Sequence, residues 1–180
     1  MGTLQQDQDG RINFPDVVVS VNASASPARI YSTLVDLATH MTWSGTMLGK
    51  HHGLRSMEAP ATPAKVGTEF HSTGADPMGS FTDRSVVTEA TSPSVFEFVT
   101  EGHLERRKQR QPPCETRITS RFEIGPDGSG STITYRAHVT RWTNPPGPLR
   151  SRALRPVLRV AMKSDAKRML RNLSTYASEH

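Results

Sequence analysis

The chain predicts an α+β fold: a curved antiparallel sheet of about seven strands wrapped around a long C-terminal helix, with two short helices after the first strand. Three observations carry this prediction. Period-two alternation of apolar and polar residues recurs from Asp16 to Trp142. Turn chemistry punctuates those runs, most clearly in GPDGSGS at 125–131. The ending, LRSRALRPVLRVAMKSDAKRMLRNLSTYA, places Leu154, Leu158, Ala161, Met162, Ala166, Met169, Leu170, Leu173 and Tyr176 at helical spacing, with Arg152, Arg155, Arg159, Lys163, Lys167 and Arg171 opposite.

The elements follow in order. DVVVSVNA, 16–23, reads as the first strand, with Val17, Val19 and Val21 on one face. Ser26 then serves as an N-cap and Pro27 as the first helical residue, where its missing N–H costs nothing. Ile30, Leu34 and Leu37 give that short helix its apolar stripe, and THMTWSGT makes a second helix or turn with Trp43 wedged on the sheet. Strands are expected at 48–58, 67–73, 81–91, 95–101, 116–124 and 132–142. GADPMGS is turn chemistry, Ser92-Pro93 ends a strand, and HLERRKQRQPPCE reads as a long basic connection. Asn144 to Pro148 breaks the sheet and launches the helix, in which Pro156 bends the axis or begins the main segment. Hairpin links make the sheet antiparallel, with one face covered by helices and the other exposed. Residues 1–15 form a polar lead-in and 16–180 one domain.

A chain of 180 residues with 34% hydrophobic content is large enough for a real core. No run reaches the apolar length of a membrane span, and the N-terminal residues lack the basic and apolar regions of a signal peptide. The single cysteine, Cys114, excludes an internal disulfide and fits a reducing cytoplasm; in its Pro-rich surroundings it is a poor nucleophile. Net charge is +5, and the segment 149–180 alone carries +6. A basic helix face could meet nucleic acid or an anionic membrane. Without a recognised binding motif it reads as a solvated face, so no nucleic-acid partner is expected and membrane contact is the weaker alternative.

Three groups of residues carry a resemblance: VVVSVNASASPARIYSTLVDL with Trp43 after it; KVGTEF, DRSVVTEATSPSVFEF and RFEIGPDGSGSTITYRAHV in the middle; and RPVLRVAMKSDAKRMLRNLSTYA at the end. In this order, over residues 16–177, the chain resembles the helix-grip fold of the START-like (SRPBCC) superfamily, which includes birch-pollen-allergen-like and polyketide cyclase/dehydrase proteins. The resemblance implies a ligand cavity between sheet and C-terminal helix, and no cofactor. It brings no invariant catalytic set.

Strand and helix parity then nominate Trp43, Phe96, Phe98, Ser120, Phe122, Ile133, Tyr135, Val139, Leu158, Met162 and Met169 for the cavity wall. Such a lining accepts a hydrophobic or aromatic molecule with few polar anchors. Tyr135 offers a hydroxyl in apolar surroundings, and Ser120 a small residue among large ones. The candidates for proton transfer are Tyr135, His71, Asp83 and His51 or His52, which on one strand point to opposite faces. His138 opposes the apolar face of its strand, and Arg84, Glu89, Arg121 and Glu123 read as outward charges. Zinc spacing, a phosphate loop, a dinucleotide fingerprint and a Ser-His-Asp signature are all missing, so no metal is expected. Three functions stay open: a cofactor-independent polyketide cyclase or dehydratase, a non-catalytic carrier of lipid or another hydrophobic ligand, and a regulatory or toxin-like interaction protein.

Overall fold

The computed structural model describes residues 16–44, 53–76, 79–106, 112–145 and 152–180. The strands are β1 (Val17–Ala23), β2 (Gly53–Glu58), β3 (Glu69–Asp76), β4 (Gly79–Thr91), β5 (Val95–Arg106), β6 (Cys114–Asp127) and β7 (Gly130–Thr143). Helix α1 (Pro27–Val35) and the single turn α2 (His40–Trp43) follow β1, and α3 (Arg155–Glu179) closes the chain. All seven strands form one antiparallel sheet in the order β1-β7-β6-β5-β4-β3-β2. This is the helix-grip α+β architecture that the alternation and the closing stripe predict.

Local chemistry accounts for the helix starts. The Ser26 hydroxyl accepts from the Arg29 N–H at 3.4 Å, and Pro27 opens α1. Pro156 stands in the first turn of α3, so it begins the helix and does not kink it. A 3-10 turn, Arg152–Leu154, precedes it.

The sheet curves where one residue is inserted between paired neighbours. The register shifts between Leu54 and Ser56, between Val87 and Glu89, and at Arg117/Ile118, where Val139 and Arg141 face consecutive residues. The extra residues, Arg55, Thr88 and Thr140, are all exposed and polar. Such bulges increase local twist and bend the strand, giving the sheet the concavity that receives α3.

Inside that concavity Ile30, Leu34, Leu37, Phe96, Phe122, Ile133, Leu170 and Leu173 are fully buried. On the outer face Arg121 holds Glu89, Glu97 and Glu123, and Arg84 pairs with Glu69.

Three expectations need correction. The basic connection at 103–115 is shorter than its composition suggests, because β5 runs to Arg106 and β6 begins at Cys114. Cys114 is buried with the Trp142 indole N–H at 3.0 Å from its sulfur, and is not a loop residue. Cross-strand pairing from Gly102↔Thr116 to Leu104↔Cys114 holds these polar residues in strand despite their low strand propensity. The start of α3 also differs from a clean two-sided helix: Leu154 is exposed, as are Val157 and Val160. The helix becomes firmly seated only from Asp165 onward, through Ala166, Leu170, Leu173 and Ala177. Residues 48–52, the expected start of the second strand, lie outside the described residues.

Candidate functional site

Because α3 is packed tightly only along its C-terminal part, a space remains between its earlier turns and the sheet. It has a volume of about 440 Å³. Val17, Leu54, Phe81, Ala137, Met162 and Met169 make most of its wall apolar. A recess of about 140 Å³ adjoins it, sharing Ser44, Leu54, Asp83, Tyr135 and Met169 as walls.

Aromatic rings line the recess in sequence. The His40 ring stands 4.5 Å from Trp43 and 6.4 Å from Phe70, Phe70 lies 5.3 Å from Phe98, and Phe122 lies 4.9 Å from Tyr135, centroid to centroid. These are ordinary aromatic packing distances, which fix ring orientation as well as burying area. The Trp43 N–H donates to the Thr39 hydroxyl at 3.1 Å. Asn172 of α3 donates to the Trp43 carbonyl at 3.2 Å, tying α2 to the long helix.

Asp83 is the polar centre of the inner sheet face. Alternation along β4 turns Phe81, Asp83, Ser85 and Val87 inward and Arg84 outward. Asp83 lies opposite Ser72 on β3 and Gly102 on β5, and the Ser72 side chain hydrogen-bonds it. Burial pushes its carboxyl up to about 6, with the Ser72 bond pulling weakly the other way. Gly102 is what gives this carboxylate room: a Cβ there would stand 2.7 Å from Asp83 Oδ1 and 2.6 Å from Thr116 Oγ1.

Tyr135 faces Asp83's cavity from β7. Its hydroxyl is 3.1 Å from the Ser120 hydroxyl, and burial raises its pKa while that bond partly offsets the rise. It therefore stays protonated at neutral pH and can donate a hydrogen bond to a ligand oxygen. On the helix wall Asp165 is buried and paired with Arg168 at 2.8 Å. His40 is fully enclosed. Its Nε2–H donates to the Leu34 carbonyl at 2.7 Å, and burial lowers its pKa to about 4, so the ring is neutral.

The structure brings Asp83, Tyr135, Met162 and Met169 together around the larger space, and Trp43, Phe98 and Phe122 around the recess. Ser120 reaches the site through Tyr135. Phe96, Ile133 and Val139 are buried elsewhere in the sheet's inner layer, and Leu158 is partly exposed and not among the wall residues. His71 points to the outer face, where its Nε2 lies 2.9 Å from Glu69. His138 is likewise outward, against Asp16. His51 and His52 lie outside the described residues. Two titratable wall residues escaped the sequence reading, Asp165 and His40. Asp165 follows Met162 by three and precedes Met169 by four, so the helical period already puts it on the apolar stripe.

Among the described residues no three His, Cys, Asp or Glu side chains gather to hold a metal ion, and no helix is long and apolar enough to cross a membrane. The arrangement can enclose an apolar molecule, present it with a hydroxyl donor, and exchange a proton near neutral pH.

Solved structures repeat the architecture. An uncharacterized protein from Rhizobium leguminosarum superposes with a TM-score of 0.63 at 11% identity, covering 92% of this chain and 95% of that one. Protein Ms6760 from Mycobacterium smegmatis gives 0.61 at 14% identity, covering 91% of each chain. Protein NE0264 from Nitrosomonas europaea gives 0.60 at 14% identity, covering 91% and 94%. At such identities these likenesses establish the fold alone. Comparison with curated protein sequences finds no match. The family model for polyketide cyclase / dehydrase and lipid transport matches residues 15–178. That span runs from the first strand to the last turn of the helix that closes the cavity, and the chain belongs to this family.

Proposed function

We propose that the chain binds a hydrophobic or aromatic small molecule between sheet and α3, and that it cyclises or dehydrates a polyketide-like substrate there without a cofactor. The observation that carries the reading is Asp83: a carboxyl on a largely apolar wall, with a pKa raised to about 6. A group poised near the working pH can both accept and return a proton. Asp83 takes a proton from the substrate and returns it to the oxygen that departs as water. Tyr135 donates to a substrate carbonyl oxygen from the neighbouring wall. The aromatic recess holds one end of the chain, favouring the folded shape that brings reacting atoms together.

The test is turnover of a poly-β-ketone by Asp83→Asn and Tyr135→Phe, with binding followed in parallel. Asp83→Asn is expected to lose about 10²–10⁴ in rate while retaining affinity. Undiminished turnover in both variants removes the proton-transfer step.

A second reading is favoured by the lining itself, in which apolar side chains outnumber polar ones. In this reading the chain is a carrier that sequesters a lipid-like molecule and does no chemistry. Binding without turnover by the unaltered protein selects it.

A further inference from the structure

The charge on the cavity wall is one-sided. Asp83 faces the space from the sheet and Asp165 faces it from α3, while no lysine or arginine is among the described residues that line it. The recess adds one titratable ring, His40, which burial keeps neutral. Arg168 meets Asp165 from the more exposed side, its own side chain 45% exposed against 10% for the aspartate. Asp83 has a hydroxyl partner in Ser72, and no ion pair joins it among the described residues. A carboxylate held in apolar surroundings without a cation is costly, and a ligand that supplies the cation recovers that cost on binding. Phe81 and Tyr135 also line the space, and aromatic rings in a wall favour a positively charged guest.

We propose that the ligand is an apolar or aromatic molecule bearing a protonated amine, seated with the ammonium group between Asp83 and Asp165 and the apolar body along Leu54, Met162 and Met169. This rests on the binding reading above and names the chemical class of its ligand. The same wall disfavours ligands ending in a free carboxylate, such as fatty acids, because a third negative charge enters the space without a partner.

The experiment compares three probes of one shape by isothermal titration at pH 7.5: 2-(aminomethyl)naphthalene, 2-naphthalenemethanol and 2-naphthoate. The amine is expected to bind about tenfold more tightly than the alcohol, the equivalent of one charge-assisted hydrogen bond, and the naphthoate more weakly than either. In the double variant Asp83→Asn, Asp165→Asn the amine loses its advantage while the alcohol keeps its affinity, and circular dichroism confirms that the variant is folded. Equal or tighter binding of the alcohol or the naphthoate overturns the proposal and leaves the binding reading standing. An amine preference that persists in the double variant also overturns it. Failure of all three probes to bind overturns both.

Discussion

Asp83 and Gly102 sit directly across from each other on β4 and β5, and the Asp83 carboxylate occupies the space that a side chain on Gly102 would take. The glycine therefore acts on the site without touching a ligand. Gly102→Ala must displace both Asp83 and Thr116, since a Cβ would stand within 2.7 Å of each. Overpacking of this kind costs about 1–3 kcal/mol, which urea denaturation measures. The variant should also lower turnover as Asp83→Asn does, a result that destabilisation alone would not give.

The pH dependence of stability separates two buried groups of opposite sign. Asp83 binds its proton more tightly in the folded chain than in the unfolded one, with its pKa raised from 3.8 to about 6. Its contribution therefore lowers stability as pH rises between those values. His40 binds its proton less tightly when folded, lowered from 6.5 to about 4, so its contribution raises stability over nearly the same window. Ser72 faces Asp83, while the Leu34 carbonyl and Asp36 act on His40. Each shift corresponds to about 3 kcal/mol, and together they nearly cancel. Asp83→Asn removes one side of the balance. Its stability should climb steeply from pH 4 to 6.5 where that of the unaltered protein is flatter, and denaturation midpoints across that range record the difference.

Core and cavity positions on α3 should respond differently to truncation. Leu170 is fully buried in the packed core, and Leu170→Ala should cost about 2–5 kcal/mol. Met162 borders existing empty space and is partly exposed, so Met162→Ala should cost clearly less while changing affinity for a bound hydrophobic probe. Equal losses of stability at the two positions would mean that the space beside Met162 is closed in solution.

The Ser120–Tyr135 bond can be weighed by itself. Ser120→Ala and Tyr135→Phe each remove one partner of a 3.1 Å hydroxyl pair, and each should cost about 1 kcal/mol. The double variant should cost less than their sum, because the second change removes a group already left without its partner.

The fold was legible in the sequence because every level agreed. Val17, Val19 and Val21 alternate, Ser26-Pro27 caps a helix, GPDGSGS turns a hairpin, and the closing stripe repeats at helical spacing. The site was legible only in part. Strand parity turned Tyr135 inward and Asp83 stood among the proton-transfer candidates, but parity also selects core residues such as Phe96 and Ile133, and only the path of α3 decides which of them border empty space. His71 stands on the outer face, where it hydrogen-bonds Glu69. Asp165 is hidden in the sequence because charge on a helix is usually solvated, whereas this residue sits on the apolar stripe between two methionines.

Ligand binding requires an open space between sheet and helix, and the most direct measurement fills it. Ala137 on β7 borders the space and is itself buried, so Ala137→Trp places a large ring where a ligand would lie. Titration with the fluorescent probe 1-aminoanthracene should show saturable binding of one probe per chain in the unaltered protein. In a folded Ala137→Trp variant that binding should disappear. Unchanged affinity and stoichiometry in the variant would contradict the account, since the probe would then be binding somewhere other than this space.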